Sequence, residues 1–140
     1  MCQKGQRMML TYSSSSVGTK PYGQNIAAGS PPTQISNVIT LEFYNGEVNY
    51  FPTSSYGLPN PDMSDFEHWG HFSQVVWKGT KNVGCYTQDC TKQGGIKGLE
   101  GMNIPPYFTV CNYYPPGNMG GEYGANVLKS KGQPSVYANY

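Results

Sequence analysis

The stretch His71-Phe72-Ser73-Gln74-Val75-Val76-Trp77-Lys78-Gly79-Thr80 decides how the fold of this chain is interpreted. It joins an imidazole and an amide to a β-branched apolar run, and Val83-Gly84-Cys85 follows shortly after it. Alternation would place His71, Ser73 and Val75 on one face of an extended chain. The pattern therefore predicts one strand over about 72–77 and another over about 83–87.

A second apolar segment, Tyr107–Tyr113, reads YFTVCNY and is followed by Pro115-Pro116-Gly117-Asn118. Proline and glycine clusters of this kind commonly end a strand. Residues Gln24–Ala28 predict a further short extended segment. The chain is therefore expected to form a small antiparallel sheet.

One main helix is expected after the first extended segment. Ser30-Pro31-Pro32 predicts its start, with Ser30 as the cap and the prolines in the first turn. Asn45-Gly46 is expected to end it. A short helix is predicted within 62–68 and a long irregular excursion over 91–106. Four apolar residues form the stripe of the main helix at a 3.6-residue period: Ile35, Val38, Ile39 and Phe43.

The composition predicts one domain over residues 1–128 with a tail at 129–140. The net charge is +1 and charged residues are 12% of the chain, which argues against a nucleic-acid partner. No apolar run approaches the roughly 18 residues that a membrane span needs, so no stable membrane insertion is expected. We expect a monomer.

Four cysteines in a short chain rich in turns favour two disulfides and an oxidising compartment over four buried thiols. Four cysteines allow three pairings, and spacing alone does not choose among them. If all four are paired, no thiolate is available as a nucleophile. The chain also lacks G-x-S-x-G and H-E-x-x-H hydrolase motifs.

Three segments resemble the signature motifs of the CAP superfamily, which comprises cysteine-rich secretory, antigen 5 and class one pathogenesis-related proteins. Gly70–Lys78 with Val83–Cys85 match G-H-[FY]-[ST]-Q-V-V-W-K and V-G-C, and Phe108–Asn118 match [YF]-x-V-C-N-Y-x-P-x-G-N. Tyr22–Ala27 match Y-G-[EQ]-N-[IL]-A. The motif sequences are most similar to those of fungal secreted members, which implies an extracellular protein.

The resemblance implies an α+β fold, a three-layer α-β-α sandwich around an antiparallel sheet. Family members open with a long helix that has no counterpart here, so the domain is expected to be shortened at its N-terminus. Met1–Gly5 also lacks the apolar core of a signal peptide. The family's disulfide pairing implies Cys85–Cys111 and Cys2–Cys90.

The family's cleft holds two histidines and two glutamates that can bind a divalent metal, and this set is eroded here. His71 is retained, Gln24 replaces one glutamate and Tyr12 replaces the other histidine. Glu47 follows Phe43 one position later than the family's W-x-x-E pattern places the second glutamate. We therefore expect no bound metal and no cofactor. Without the resemblance, His71 would be interpreted as a structural histidine and His68 as a solvated surface residue.

An aromatic cluster lies within fourteen residues on the helix end and the loop after it. Fungal relatives bind sterols or fatty acids through an aromatic-bearing loop in this region, so the resemblance implies a lipid site here. Equally, the rings could cap the core. The candidates are Phe43, Tyr44, Tyr50, Phe51 and Tyr56.

These observations predict a secreted, non-enzymatic sterol- or fatty-acid-binding protein involved in defence or host interaction. A protein-interaction module or decoy without a ligand is the main alternative. A metal-dependent hydrolase is disfavoured because the metal ligands are missing.

Overall fold

A three-stranded antiparallel sheet is the framework of the computed structural model, which describes Cys2 and residues 22–132. The strands are β1 at Gly23–Ala28, β2 at Asn82–Asp89 and β3 at Tyr107–Tyr114, in the spatial order β1-β3-β2. Asn25 lies opposite Cys111, which in turn lies opposite Cys85. The sheet and all three of these strands were predicted, and the mixture of strands and helices is that of an α+β protein.

The main helix begins where the prolines predict, but Ser30 does not cap it. A 3₁₀ turn at Pro32–Gln34 leads into α1 at Ile35–Asn37, which continues as a π-helix over Val38–Asn45. The Ser30 hydroxyl instead donates to a carboxylate oxygen of Glu42 at 2.8 Å. The predicted end at Asn45-Gly46 is confirmed.

The strand predicted over 72–77 is wrong, because Gly70–Val75 forms a helix, α2. Its side chains enter two separate cores, so apolar residues occur on more than one face and mimic the alternation of a strand. Phe72 and Val76 pack in one core and Val75 packs in the other. In the helix His71 and Val75 lie four positions apart and still share a face, whereas Ser73 does not lie on that face.

The first core, here the aromatic core, lies around α2 and the short helix α3 at Tyr123–Asn126. Its rings meet edge to face, with Trp69 against Phe51 at 5.1 Å and Trp77 against Tyr123 at 5.1 Å between centroids. Such packing adds to the free energy of burial. Its buried members are Phe51, Trp69, Phe72, Trp77, Tyr123 and Val127.

The second core, here the sheet core, joins the π-helix to the sheet through Val38, Phe43, Cys111 and Tyr113. Tyr113 is buried here, as Trp77 is in the aromatic core. Burial raises the pKa of Tyr113 and that of Tyr123 to about 12, although the hydrogen bond from Asn25 partly opposes the shift at Tyr113.

Both disulfides have the predicted pairing. Cys85–Cys111 joins β2 to β3, and Cys2–Cys90 ties the start of the chain to the end of β2. A 3₁₀ turn at Phe66–His68 lies in the predicted 62–68 region, and another at Thr91–Gln93 begins the irregular excursion before β3. No helix among the described residues is long and apolar enough to span a membrane.

Candidate functional site

The Glu47 carboxylate is the centre of the polar cluster around His71. One oxygen, Oε1, lies 2.6 Å from His71 Nδ1. The other, Oε2, accepts hydrogen bonds from the backbone N–H groups of His71 and Phe72 at 2.9 and 3.0 Å. Both oxygens are thus used by the first turn of α2, whose N–H groups have no intrahelical partner.

The π-helix explains how Glu47 reaches His71 although it comes one position later than the family pattern predicts. A π-helix bonds residue i to i+5, so each turn holds about one residue more than an α-turn. The Gly46 N–H accordingly donates to the carbonyl of Leu41 at 2.9 Å. The extra residue is absorbed before the chain reaches Glu47.

His71 is fixed by contacts on two sides. Its imidazole stacks on Phe43 with ring centroids 4.9 Å apart and an interplanar angle of 16°. Because Glu47 holds Nδ1, Nε2 is the nitrogen left for other chemistry, and it makes no hydrogen bond within Cys2 and residues 22–132. The His71 side chain is 36% exposed, whereas that of Glu47 is 14% exposed.

Asn25, rather than Gln24, links β1 to this cluster. The Asn25 amide donates to the His71 carbonyl and to the Tyr113 hydroxyl, each at 3.1 Å. Gln24 lies on the opposite face of the strand, and its amide donates to Asn112 on β3 at 2.8 Å. The structure therefore brings Glu47 and His71 together but pairs Gln24 elsewhere, and Tyr12 lies outside the described residues.

Two further polar residues hold the loop after β3 against α2. The side-chain amide oxygen of Gln74 accepts a hydrogen bond from the Gly117 N–H at 2.9 Å. Asn118 accepts from the Ser73 hydroxyl at 2.6 Å and donates to the Gly70 carbonyl at 2.9 Å. Sequence reasoning treated Asn118 only as a turn residue, and nothing local could have shown these contacts.

The residues of this cluster do not fit a divalent metal. Zinc needs about three protein ligands in addition to any water. His71 Nε2 is one candidate, but both oxygens of Glu47 are engaged and Gln24 is a neutral amide bonded to Asn112. Within the described part of the chain, no three His, Cys, Asp or Glu side chains are grouped to hold a metal ion. His68 lies at the exposed surface beside Asp65, as predicted.

The five candidate aromatic residues separate into core and surface groups. Phe43 and Phe51 are each 2% exposed and belong to the two cores. Tyr44 and Tyr56 are half-buried against the aromatic core, whereas Tyr50 is 55% exposed. Burial, and secondly the neighbouring Tyr44, raise the pKa of Tyr56, so its ring stays neutral at physiological pH. The core-capping interpretation thus holds for Phe43 and Phe51.

Residues 1–113 match the cysteine-rich secretory protein family. The chain is 46% identical over 115 residues to a "Probable pathogenesis-related protein" of Arthroderma benhamiae, covering 82% of this chain and 35% of that protein. Protein PRY2 of Saccharomyces cerevisiae is 36% identical over 108 residues, covering 77% of this chain and 26% of the yeast protein.

Venom allergen 5.02 of Vespa crabro is 33% identical over 104 residues, covering 71% of this chain and 43% of the allergen. The chain thus spans between 26% and 43% of the length of these three relatives. The family match covers most of the chain, including both Glu47 and His71. The chain therefore belongs to the CAP family, the family of cysteine-rich secretory proteins.

Proposed function

We propose that this chain is a secreted, non-enzymatic CAP protein that binds a sterol or a fatty acid. The observation that carries the proposal is the aromatic surface that remains once the core is filled. Tyr44 packs on Phe72 at 5.5 Å, and Tyr56 packs on Phe51 at 4.9 Å between centroids. Rings backed by a packed core lose little entropy when a flat apolar ligand binds to them.

Tyr50 follows Tyr44 by six positions in the chain and is exposed, so it is included in the proposed surface. Its ring lies 5.6 Å from the His68 ring and is 55% exposed. Apolar ligands bind mainly by removing such surface from water, at about 25 cal/mol per Å². Tyr44, Tyr50 and Tyr56 are therefore the proposed ligand contacts, and Phe72 and Phe51 lie behind Tyr44 and Tyr56.

A non-enzymatic role is supported by the use of Glu47. A general base or a metal ligand needs a free oxygen, whereas both Glu47 oxygens are bonded to α2. The cluster thus joins two helices, and the Glu47 carboxylate itself is not free to act as a general base or as a metal ligand. Secretion is supported by the two disulfides, which persist in oxidising compartments.

The proposal is tested by competition with labelled cholesterol and, separately, with a labelled fatty acid. Tyr50→Ala and Tyr56→Ala should each weaken binding by about ten- to hundredfold, because one buried ring contributes roughly 1.5–3 kcal/mol. Tyr86→Ala is the matched control, since Tyr86 is 58% exposed on β2. It should leave the affinity unchanged.

His71→Ala separates this surface from the Glu47–His71 cluster. A neutral ligand has no charge for the imidazole to pair with, so the affinity of the folded variant should stay within about threefold of the parent's. Loss of binding in His71→Ala with normal binding in the tyrosine variants would place the ligand beside His71 and contradict the proposal.

A protein-interaction module without a ligand is the second candidate. The burial of Phe43 and Phe51 favours it, because these two rings are occupied by the core. If the parent binds neither cholesterol nor fatty acid, this candidate replaces lipid binding.

A further inference from the structure

Two segments that carry four lysines, one after α2 and one after α3, meet at Asn126. The Lys78 N–H donates to the Asn126 carbonyl at 3.2 Å, and the Gly79 N–H donates to the Asn126 side chain at 2.9 Å. Lys81 lies beside Lys78, to whose carbonyl its ammonium group donates. Lys129 and Lys131 follow Asn126 by three and five positions. All four lysines are exposed.

Exposed leucines border these lysines. Lys129 Nζ lies 5.9 Å from the centre of the Tyr56 ring. Tyr56 is two residues before Leu58 in the chain. The loop that carries Leu58 lies directly against α3. The approach is so close that a side chain on Gly124 would place its Cβ 2.5 Å from the Gly57 carbonyl oxygen. Leu58 and Leu128 are 49% and 56% exposed. We name this region the lysine–leucine surface: Lys78, Lys81, Lys129, Lys131, Leu58 and Leu128.

Charge is distributed unevenly between this surface and the rest of the described chain. Glu122 is the one carboxylate in the segments that form the surface. The rest of residues 22–132 carries seven carboxylates but only two lysines, Lys92 and Lys97. The surface is therefore positive although the whole chain has a net charge of only +1. A molecule with this polarity is oriented by a negatively charged plane.

We propose that the lysine–leucine surface docks the protein onto an anionic lipid bilayer. Lysines are attracted to anionic headgroups. Burial of leucine side chains at the boundary between headgroups and acyl chains lowers the free energy further. The leucines favour a bilayer over a soluble polyanion, which would leave them in water. Docking of this kind is peripheral and does not depend on the proposed sterol or fatty-acid ligand.

The test is co-sedimentation with sterol-free vesicles of phosphatidylcholine, with and without about 30% phosphatidylserine. The parent should bind the anionic vesicles at low salt and dissociate from them at high salt. It should not bind the neutral vesicles. Lys129→Glu/Lys131→Glu should weaken binding by at least about thirtyfold. The matched control, Lys92→Glu/Lys97→Glu, changes the net charge equally and should stay within about threefold of the parent.

Leu58→Ser/Leu128→Ser separates the bilayer from other polyanions. It should weaken vesicle binding by about tenfold or more while leaving retention on a heparin column unchanged. Equal losses in the two lysine pairs would show that net charge alone governs binding, which overturns the proposal. A parent that ignores anionic vesicles, or serine variants that bind vesicles as the parent does, would overturn it as well.

Discussion

At the scale of single residues, Glu47 makes three hydrogen bonds that hold α2 to the end of the π-helix. Its carboxylate joins the end of the π-helix to His71 and to the first turn of α2. The interaction is largely shielded from water, because the Glu47 side chain is only 14% exposed. Charged hydrogen bonds in such a site stabilise more than exposed ones.

Glu47→Ala should lower the free energy of unfolding by about 2–4 kcal/mol, because two backbone N–H groups and an imidazole lose their acceptor. Urea unfolding should show a lower midpoint with an unchanged slope. Glu42→Ala is the control, since its hydrogen bond with Ser30 is exposed, and it should cost less than about 0.5 kcal/mol. Equal losses of stability in the two variants would show that the hydrogen bonds of Glu47 to α2 do not stabilise the fold more than an exposed hydrogen bond does.

The same contacts predict that the protein does not bind zinc stoichiometrically at neutral pH. His71 Nε2 supplies one ligand, and Glu47 would have to leave α2 to supply another. Calorimetric titration with zinc should give no saturable heat. A single site with a micromolar dissociation constant would refute this prediction.

Two buried phenols predict that the fold weakens in alkali. Burial raises the pKa of Tyr113 and that of Tyr123 to about 12, so both stay protonated in the folded state while the unfolded chain ionises from about pH 10. The free energy of unfolding should therefore be unaffected by these two tyrosines below pH 10. It should fall between pH 10 and about 12, by roughly 1–2 kcal/mol for each tyrosine.

Urea unfolding across this pH range checks the prediction. Tyr123→Phe should flatten the loss, because phenylalanine does not ionise. Tyr86→Phe should not, because Tyr86 is exposed. Identical pH profiles for the two variants would mean that burial of Tyr123 does not govern the loss.

At the scale of elements, the π-helix sets the register of the Glu47–His71 cluster. Deleting Gly46 would give the three-residue spacing from Phe43 to the glutamate that the family pattern shows. An α-turn holds one residue fewer than a π-turn, so the glutamate should still reach His71. Stability should stay within about 1 kcal/mol of the parent's.

Deletion of both Asn45 and Gly46 provides the comparison. Two missing residues exceed the one that a π-turn adds, so this variant should lose stability as Glu47→Ala does. A single deletion as harmful as the double one would show that the π-helix does not absorb the extra residue.

The elements also show how far the sequence could be interpreted. Turn residues, alternating apolar residues and cysteines predicted β1, β2 and β3, because these signals are local. The α2 helix was missed because a distant carboxylate, Glu47, bonds its first N–H groups. No feature within residues 70–75 reveals that contact.

The candidate site was predictable to a similar extent. His71 and Glu47 were named from the sequence, but their contact depends on a π-helix that no propensity indicates. The roles of Asn25 and Asn118 could not be predicted, because their partners lie more than forty positions away in the chain. The burial of Phe51 likewise follows from packing against Trp69 and Phe72, which adjoin it only in the folded molecule.

At the scale of the whole molecule, the Glu47–His71 cluster and the proposed ligand surface are built from different residues. The Glu47–His71 cluster ties the helices to the sheet, while the half-exposed tyrosines lie at the edge of the aromatic core. Two disulfides hold the sheet and the start of the chain in place. The proposed ligand surface would therefore bind an apolar molecule without using the polar cluster.

The decisive measurement for the proposed ligand surface is the affinity of Tyr50→Ala for cholesterol or a fatty acid, compared with the affinity of Tyr86→Ala. Both substitutions remove a largely exposed tyrosine, so they differ only in position. Saturable binding by the parent, with a ratio of about ten or more between the two variants, is the predicted result. Equal affinities, or a parent that binds neither lipid, would contradict it.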